Sequence, residues 1–306
     1  MPFSFLAREA GRVHVCGHRG YSLRYPENTL PAFEAAKAWG ATTVEIDVVL
    51  TADGEPIVLH DRTLDRTTDG HGFAADLGLE RIRRLDAGAG FDSRFAQTRV
   101  LTLAEVVHWA EREEMGIFLE IKEAERPDLA VDRVAGLLEA TGTADRLIII
   151  GFDHVVLKRG VERHPGIRTQ AITHARHADM VGVLRACGAK SVSIEFDMFH
   201  PEDAKVLHAA GCSNRLSVPR REVLVEYWRG GRDIIPSLAM DRRGPYRHDL
   251  RRRCSIPSQA CRACRPGKSM VAASAPSVAA PQQRSGSGAG LSSRGMSMSP
   301  STKLPA

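Results

Sequence analysis

Gly17-His18-Arg19-Gly20, then Pro26-Glu27-Asn28-Thr29, then Glu45-Ile46-Asp47, then Leu59-His60-Asp61: this stretch decides how the chain reads. Histidines, an arginine and carboxylates stand in it at the ends of short apolar runs. Residues 13–16 are a β-type run. The glycines flanking His18-Arg19 let the backbone turn sharply and let a ligand come close. Residues 29–40 predict a helix, with Thr29 as N-cap, Pro31 in the first turn and Gly40 at the stop. Leu30, Phe33 and Ala36 recur at helical spacing and give it an inner face. Residues 42–49 read as a β-branched strand on which Glu45 and Asp47, two apart, point to the same side. Asp53-Gly54 marks a turn, and residues 56–59 return as a strand that delivers His60-Asp61.

Beyond this stretch, residues 62–99 carry few strand signals and one short helix near 79–85, as a functional loop or insertion beside a site would. The rhythm then becomes regular. Helices over 103–112, 129–141, 155–163, 180–187 and 201–210 alternate with strands over 116–121, 147–150, 167–172, 191–196 and 215–218, and a further helix is predicted over 222–229. Alternating β and α units imply a parallel sheet, and this many of them point to a (β/α) barrel. His18, Glu45, Asp47, Glu120, Lys122 and Asp153 then fall at strand C-termini, the active face of such a barrel.

The net charge of +5 misleads. Of the 42 Lys and Arg, nine lie after Asp249, where there is no acid, leaving 33 against 37 Asp and Glu before it. A mildly acidic core speaks against nucleic acid as a partner. No apolar run approaches the length of a bilayer span, and residues 1–12 lack the apolar core of a secretory signal. Cys16, Cys187 and Cys212 are scattered without pairing logic, so a reducing, cytoplasmic setting is expected.

Glu45, Asp47 and Glu120 supply the oxygen ligands a hard divalent cation prefers, Mg²⁺ or Ca²⁺, and flanking Val44, Ile46 and Val48 argue that the pair on the strand is buried. His18 and His60 can act as general base and acid at neutral pH. Arg19 and Lys122 put positive charge around an anion, for which phosphate is the natural candidate. The chain has no Gly-x-Ser-x-Gly elbow, Walker loop or Rossmann fingerprint after the first strand, which disfavours serine acyl transfer and nucleotide-dependent phosphoryl transfer. Metal-assisted cleavage of a phosphodiester by two histidines fits the groups present.

Together, His18-Arg19, Glu27-Asn28, Glu45-Ile46-Asp47 and His60-Asp61 resemble the glycerophosphodiester phosphodiesterase family. So do Thr67-Thr68-Asp69-Gly70, Leu85-Asp86-Ala87-Gly88, Leu101-Thr102-Leu103 and Glu120-Ile121-Lys122. The resemblance is strong over 12–125 and continues in rhythm to about 238. It implies a TIM-like (β/α)8 barrel over 1–238, with a small insertion (62–100) after the second strand. It implies hydrolysis of a glycerophosphodiester to an alcohol and glycerol 3-phosphate through a cyclic phosphate, the glycerol hydroxyl being the nucleophile. His18 and His60 would be the acid/base pair. Glu45, Asp47 and Glu120 would bind the metal, with Glu27 a further candidate. Arg19 and Lys122 would hold the phosphate. The chain departs from the family at Val100-Leu101, where members usually carry a proline. It departs more at the C-terminus, where the family's final strand motif is missing in frame, so the last strand is expected to be absent or altered. Two alternatives stand beside this reading: a folded but inactive barrel, and a phospholipase of the sphingomyelinase D type. The Glu27-Asn28 pair and the long insertion favour the diesterase over the latter.

Residues 239–306 read as a disordered basic tail, rich in Arg, Ser, Pro, Ala and Gly, unable to bury enough apolar surface to offset ordering entropy. Its Cys261-Arg262-Ala263-Cys264 pair lacks the further ligands of a zinc site. Codons for 239–254 shifted by one nucleotide are compatible with a family-like final strand, so a frameshift product stands beside a natural basic tail as a reading of this segment; resequencing the gene across 232–244 separates them.

Overall fold

Thr43–Leu50 (β2) is buried at all eight of its positions. A strand covered on both faces reads this way, and it sets the architecture. His14–His18 (β1) pairs parallel along one side of β2 and Gly116–Ile121 (β4) along the other. Pro56–Val58 (β3) folds back antiparallel on the upper part of β2 through the turn at Gly54. Parallel pairing continues through Leu147–Gly151 (β5), Thr169–Thr173 (β6), Ser191–Glu195 (β7) and Ser213–Ser217 (β8). Val225–Trp228 (β9) pairs antiparallel with both β8 and β1, so the ring closes. The computed structural model describes residues 14–195, 198–217, 225–228, 240–241 and 244–245. The chain groups into Met1–Ser255 and Ile256–Ala306, and all described residues belong to the first. The expected tail beyond 239 lies outside them, apart from the paired Met240–Asp241 and Gly244–Pro245.

The helices are Leu30–Ala38 (α1), Leu79–Ile82 (α2), Leu103–Arg112 (α3), Pro127–Thr141 (α4), His154–Arg163 (α5), Met180–Cys187 (α6) and Pro201–Ala209 (α7). Alternate strand residues face outward onto them: Val44, Ile46 and Val48 of β2, Ile117 and Leu119 of β4, Leu147 and Ile149 of β5 pack with Phe33, Val106, Trp109, Val134 and Leu157 in one core. Each such fully buried aliphatic chain stabilises by roughly 1.5–3 kcal/mol relative to exposure. The opposite parity fills the ring's interior, where Cys16, Phe118 and Ile150 pack with Ile148 and Ile172. Glu45 and Asp47 share that inward parity, which explains how carboxylates come to stand inside an apolar shell.

Residues 59–102 carry 3-10 turns at Ala74–Asp76 and Ser93–Phe95 besides α2. Leu59, Leu64, Ala74, Ile82 and Val100 build a satellite core on Val49 and Ile57 of the β2–β3 hairpin, so this segment is anchored rather than loose. At its end, Thr102 and Glu105 close a reciprocal capping box that starts α3.

The sequence reading missed one element. The helix expected over 222–229 is the strand Val225–Trp228. Val225, Tyr227 and Trp228 suit a pleated surface, and the slot between β8 and β1 offers edges on both sides, so tertiary pairing overrides the local helical period. The eighth position of the ring is thus filled by an antiparallel strand. Smaller shifts occur at β1, which runs to His18 itself, and at β6, which begins at Thr169.

Candidate active site

The β1–α1 turn places the first groups. Gly20 has φ 78°, and a Cβ there would stand 2.6 Å from the Ala32 carbonyl carbon of α1. Only glycine lets the turn lie this close to the helix, and that closeness aims His18 and Arg19 across the mouth of the ring. Arg19 itself has φ 55° and its N–H donates to the Glu45 backbone carbonyl and to Glu45 Oε2, each at 3.0 Å. Thr29 occupies the N-cap of α1, but its hydroxyl donates back to the Pro26 carbonyl (2.5 Å) instead of capping. That fold-back brings Asn28, with φ 58°, against β2.

Backbone bonds then stitch the other strand ends to β2. The Leu59 N–H donates to the Asp47 carbonyl (3.0 Å) and the Lys122 N–H to the Val48 carbonyl (2.9 Å), so His60 and Lys122 flank Asp47. Glu120 pairs in register with Asp47. As a result Glu45, Asp47 and Glu120 offer oxygen atoms all within 4.8 Å of one another. His18 Nε2 is 3.9 Å from Glu45 Oε2. Lys122 Nζ lies 2.6 Å from Glu120 Oε1 and 3.6 Å from Asp47 Oδ1.

The electrostatics of this cluster call for a cation. Burial, then the neighbouring Asp47 and Glu120 carboxylates, push the Glu45 carboxyl well above the usual carboxylate range. Burial also raises Glu120, opposed by Lys122. Asp47 is fully buried, and its Oδ1 accepts no hydrogen bond. Its Oδ2 accepts from Asn28 Nδ2 at 2.9 Å, and Arg19 Nε lies 3.1 Å away as an ion pair without hydrogen-bond alignment. An orphaned buried carboxylate oxygen beside two further carboxylates is the donor set a hard divalent cation takes. These residues fit such an ion.

Glu27 stands outside the converging group. Arg66 grips both its oxygens (2.8 and 3.0 Å) and Arg19 Nη1 adds 3.1 Å. Burial would raise its carboxyl, but the two guanidinium groups outweigh this and leave it low. Arg66 also binds Asp61 through Nε (2.5 Å) and Nη2 (3.1 Å), holding that carboxyl far below its ordinary range. Asp61 Oδ1 in turn meets His60 Nδ1 at 2.6 Å. With Asp61 ionised, Nδ1–H is the donor and Nε2 is left to face the site.

Sequence reasoning therefore named every member of the carboxylate cluster and both histidines, and the fold brings them together. It did not single out Asn28, Asp61 or Arg66 as working parts. Asn28 and Asp61 sit inside the quoted motifs, and a signal for them was present: short polar side chains next to Glu27 and His60. Arg66 lies in irregular chain with no periodicity to mark it. Asp153, placed on the active face by the sequence, instead caps α5 by accepting from the Val155 and Val156 N–H groups.

Comparison with known proteins agrees with this geometry. Residues 18–215 match the model of the glycerophosphoryl diester phosphodiesterase family. The ring is a TIM-type barrel, and with this match over most of it the chain belongs to the glycerophosphoryl diester phosphodiesterase family. The glycerophosphodiester phosphodiesterase of Caldanaerobacter subterraneus subsp. tengcongensis is 36% identical over 176 residues, covering 57% of this chain and 67% of that protein. Mouse glycerophosphodiester phosphodiesterase 1 is 44% identical over 113 residues, 36% of this chain and 34% of its own length. The chain thus spans about two thirds of the bacterial relative and a third of the mammalian one. Among solved structures, a phosphodiesterase of Oleispira antarctica in complex with the product sn-glycerol-3-phosphate superposes with TM-score 0.62 at 28% identity, covering 68% of this chain and 84% of that one. The glycerophosphodiester phosphodiesterase of Agrobacterium tumefaciens gives TM-score 0.58 at 28% identity over 67% and 85%.

Proposed function

We propose that this protein hydrolyses glycerophosphodiesters to an alcohol and glycerol 3-phosphate with the help of a divalent cation, Mg²⁺ or Ca²⁺. The observation that carries the reading is the convergence of Glu45, Asp47 and Glu120 between His18 and His60. When bound there, the cation supplies positive charge that polarises the phosphoryl group and favours an ionised hydroxyl. Glu45, Asp47 and Glu120 would hold it, and its charge would relieve their mutual repulsion. Glu27 is a further candidate only after release from its arginines.

Lys122 and Arg19 orient the phosphate. One histidine takes the proton of the substrate's glycerol hydroxyl as the oxygen attacks phosphorus; the other gives a proton to the departing alcohol oxygen as its P–O bond breaks. Water then opens the cyclic phosphate with the roles reversed, and both histidines return to their starting states. Asp61 keeps His60 in the tautomer this requires, and Arg66 keeps Asp61 charged.

Among the described residues no helix is long and apolar enough to cross a membrane. The test is release of glycerol 3-phosphate from glycerophosphodiesters by the purified chain with added Mg²⁺ or Ca²⁺. EDTA should abolish it, and Asp47→Asn and His60→Ala should each lower kcat by about 10²–10⁴. No product from any glycerophosphodiester would sink the reading, and release of choline with ceramide phosphate from sphingomyelin alone would favour the phospholipase alternative.

A further inference from the structure

Two networks of the site share one residue of the insertion. Arg66 lies at the crest of the turn 64–68, whose ends are fixed. Leu64 is buried in the satellite core and its N–H donates to the Gly72 carbonyl (2.9 Å). The Leu64 carbonyl in turn accepts the Thr68 N–H (3.1 Å) and the Thr68 hydroxyl (2.8 Å). From this crest the Arg66 guanidinium uses two of its edges. The edge with Nε and Nη2 faces Asp61, and the edge with Nη1 and Nη2 faces Glu27. A planar fork can grip two carboxylates in this way, whereas a lysine ammonium is a point charge.

Each carboxylate hands the contact on to a different group. Asp61 Oδ1 meets His60 Nδ1 at 2.6 Å. Glu27 Oε1 accepts from Arg19 Nη1 at 3.1 Å, and on its other side Arg19 Nε lies 3.1 Å from Asp47 Oδ2. Arg19 therefore stands between two carboxylates, and were both left uncompensated its charge would be taken up by them and not by a phosphate. Arg66 supplies the second cation. With both Glu27 oxygens bound to Arg66, Glu27 can locate Arg19 without neutralising it.

We propose that Arg66 is a positioning residue for both halves of the reaction: it fixes His60 through Asp61, and it keeps Arg19 available to the phosphate through Glu27. Glu27 then serves the two arginines, and the insertion is a working part of the site. The inference rests on the proposed diesterase reaction, to which it adds the link between the acid/base pair and the phosphate grip.

The experiment separates the two halves, on the full chain with Mg²⁺ present. Arg66→Met should lower kcat and raise KM for a glycerophosphodiester, each about tenfold. Asp61→Asn should lower kcat and leave KM in place. Adding Glu27→Gln to Arg66→Met removes the uncompensated charge, so the double variant should regain KM and not kcat. A merely structural Arg66 would give no such rescue. Unchanged kinetics in Arg66→Met, or a double variant with no better KM than the single one, overturns the proposal. Two readouts need no turnover. Inorganic phosphate, titrated calorimetrically, should bind about tenfold more weakly to Arg66→Met and recover in the double variant. Nitrogen NMR of the imidazoles should show His60 protonated at Nδ1 in wild type and a mixture of tautomers in Arg66→Met. No phosphate binding by wild type, an affinity untouched by Arg66→Met, or an unchanged tautomer overturns the proposal. A chain that hydrolyses nothing yet shows both changes refutes the reaction and leaves the network standing. Circular dichroism of the variants confirms that they fold.

Discussion

At the scale of single residues, the site depends on groups that hold the reacting ones. Asn28 is the clearest case. It is buried, donates to Asp47 Oδ2 at 2.9 Å, and takes the Asp47 N–H on its own carbonyl oxygen at 3.4 Å. Removing a donor behind a metal carboxylate typically costs 10–100-fold in metal affinity. Asn28→Ala should therefore weaken Mg²⁺ or Ca²⁺ binding by about tenfold or more, measured by calorimetric titration, and an unchanged affinity would show that Asp47 needs no second partner. Asp61 gives a pH dependence. Its carboxyl lies below the usual 3.8 because Arg66, against the opposing effect of burial, binds it, with His60 adding to the pull. A depressed folded-state value stabilises fully above the unfolded value, and the contribution is lost as pH falls below about 3.8 toward the folded one. Melting curves of wild type and Asp61→Asn should thus separate at neutral pH and draw together as the solution is acidified through that window. A constant separation would mean that Asp61 is not held by Arg66.

At the scale of elements, the decisive contact is the β1–α1 turn. Its left-handed residues, Arg19, Gly20 and Asn28, let it fold tightly enough to lay His18 beside Glu45 while Asn28 reaches Asp47. At Gly20 a methyl group would meet the Ala32 backbone at 2.6–2.7 Å. Backbone cannot yield as a side-chain tip can, so Gly20→Ala should cost roughly 1–3 kcal/mol. The same shift moves His18, so kcat should fall with Tm. A variant with wild-type melting and wild-type turnover would contradict this account. The 59–102 segment contributes Arg66 and the delivery of His60, and its satellite core explains why irregular chain can place both firmly.

At the scale of the whole molecule, Glu45, Asp47 and Glu120 come from the directly paired strands β2 and β4, while His18 enters from β1, whose other edge is held by the strand that closes the ring. Closure falls to β9, in which Tyr227 stands opposite Val15 on one side and Leu216 on the other. A proline there removes the backbone donor in a strand paired on both sides and opens two edges at once. Tyr227→Pro should lower Tm and add concentration-dependent light scattering on heating. If it melts and scatters like wild type, the ring is not closed through this strand.

Much of this was legible in the sequence. Glu45-Ile46-Asp47 between β-branched neighbours shows two carboxylates on one inward face, and the alternating apolar runs after residue 100 show a barrel. These readings succeed because the periods of strand and helix are local, carried by a few consecutive side chains. What lay beyond reach involves partners far apart in the chain. Arg66 bridges Glu27 and Asp61 across an irregular segment. Phe152, His174 and Glu195 meet from three strands, while Asp153, the polar residue the sequence favoured, is spent capping a helix. The direction of β9 is set by the two edges it fills, not by its own period. The sequence by itself determined which residue types face inward and in what order. The tertiary structure decided which of them touch, because register between distant strands is fixed by the closing and packing of the whole ring.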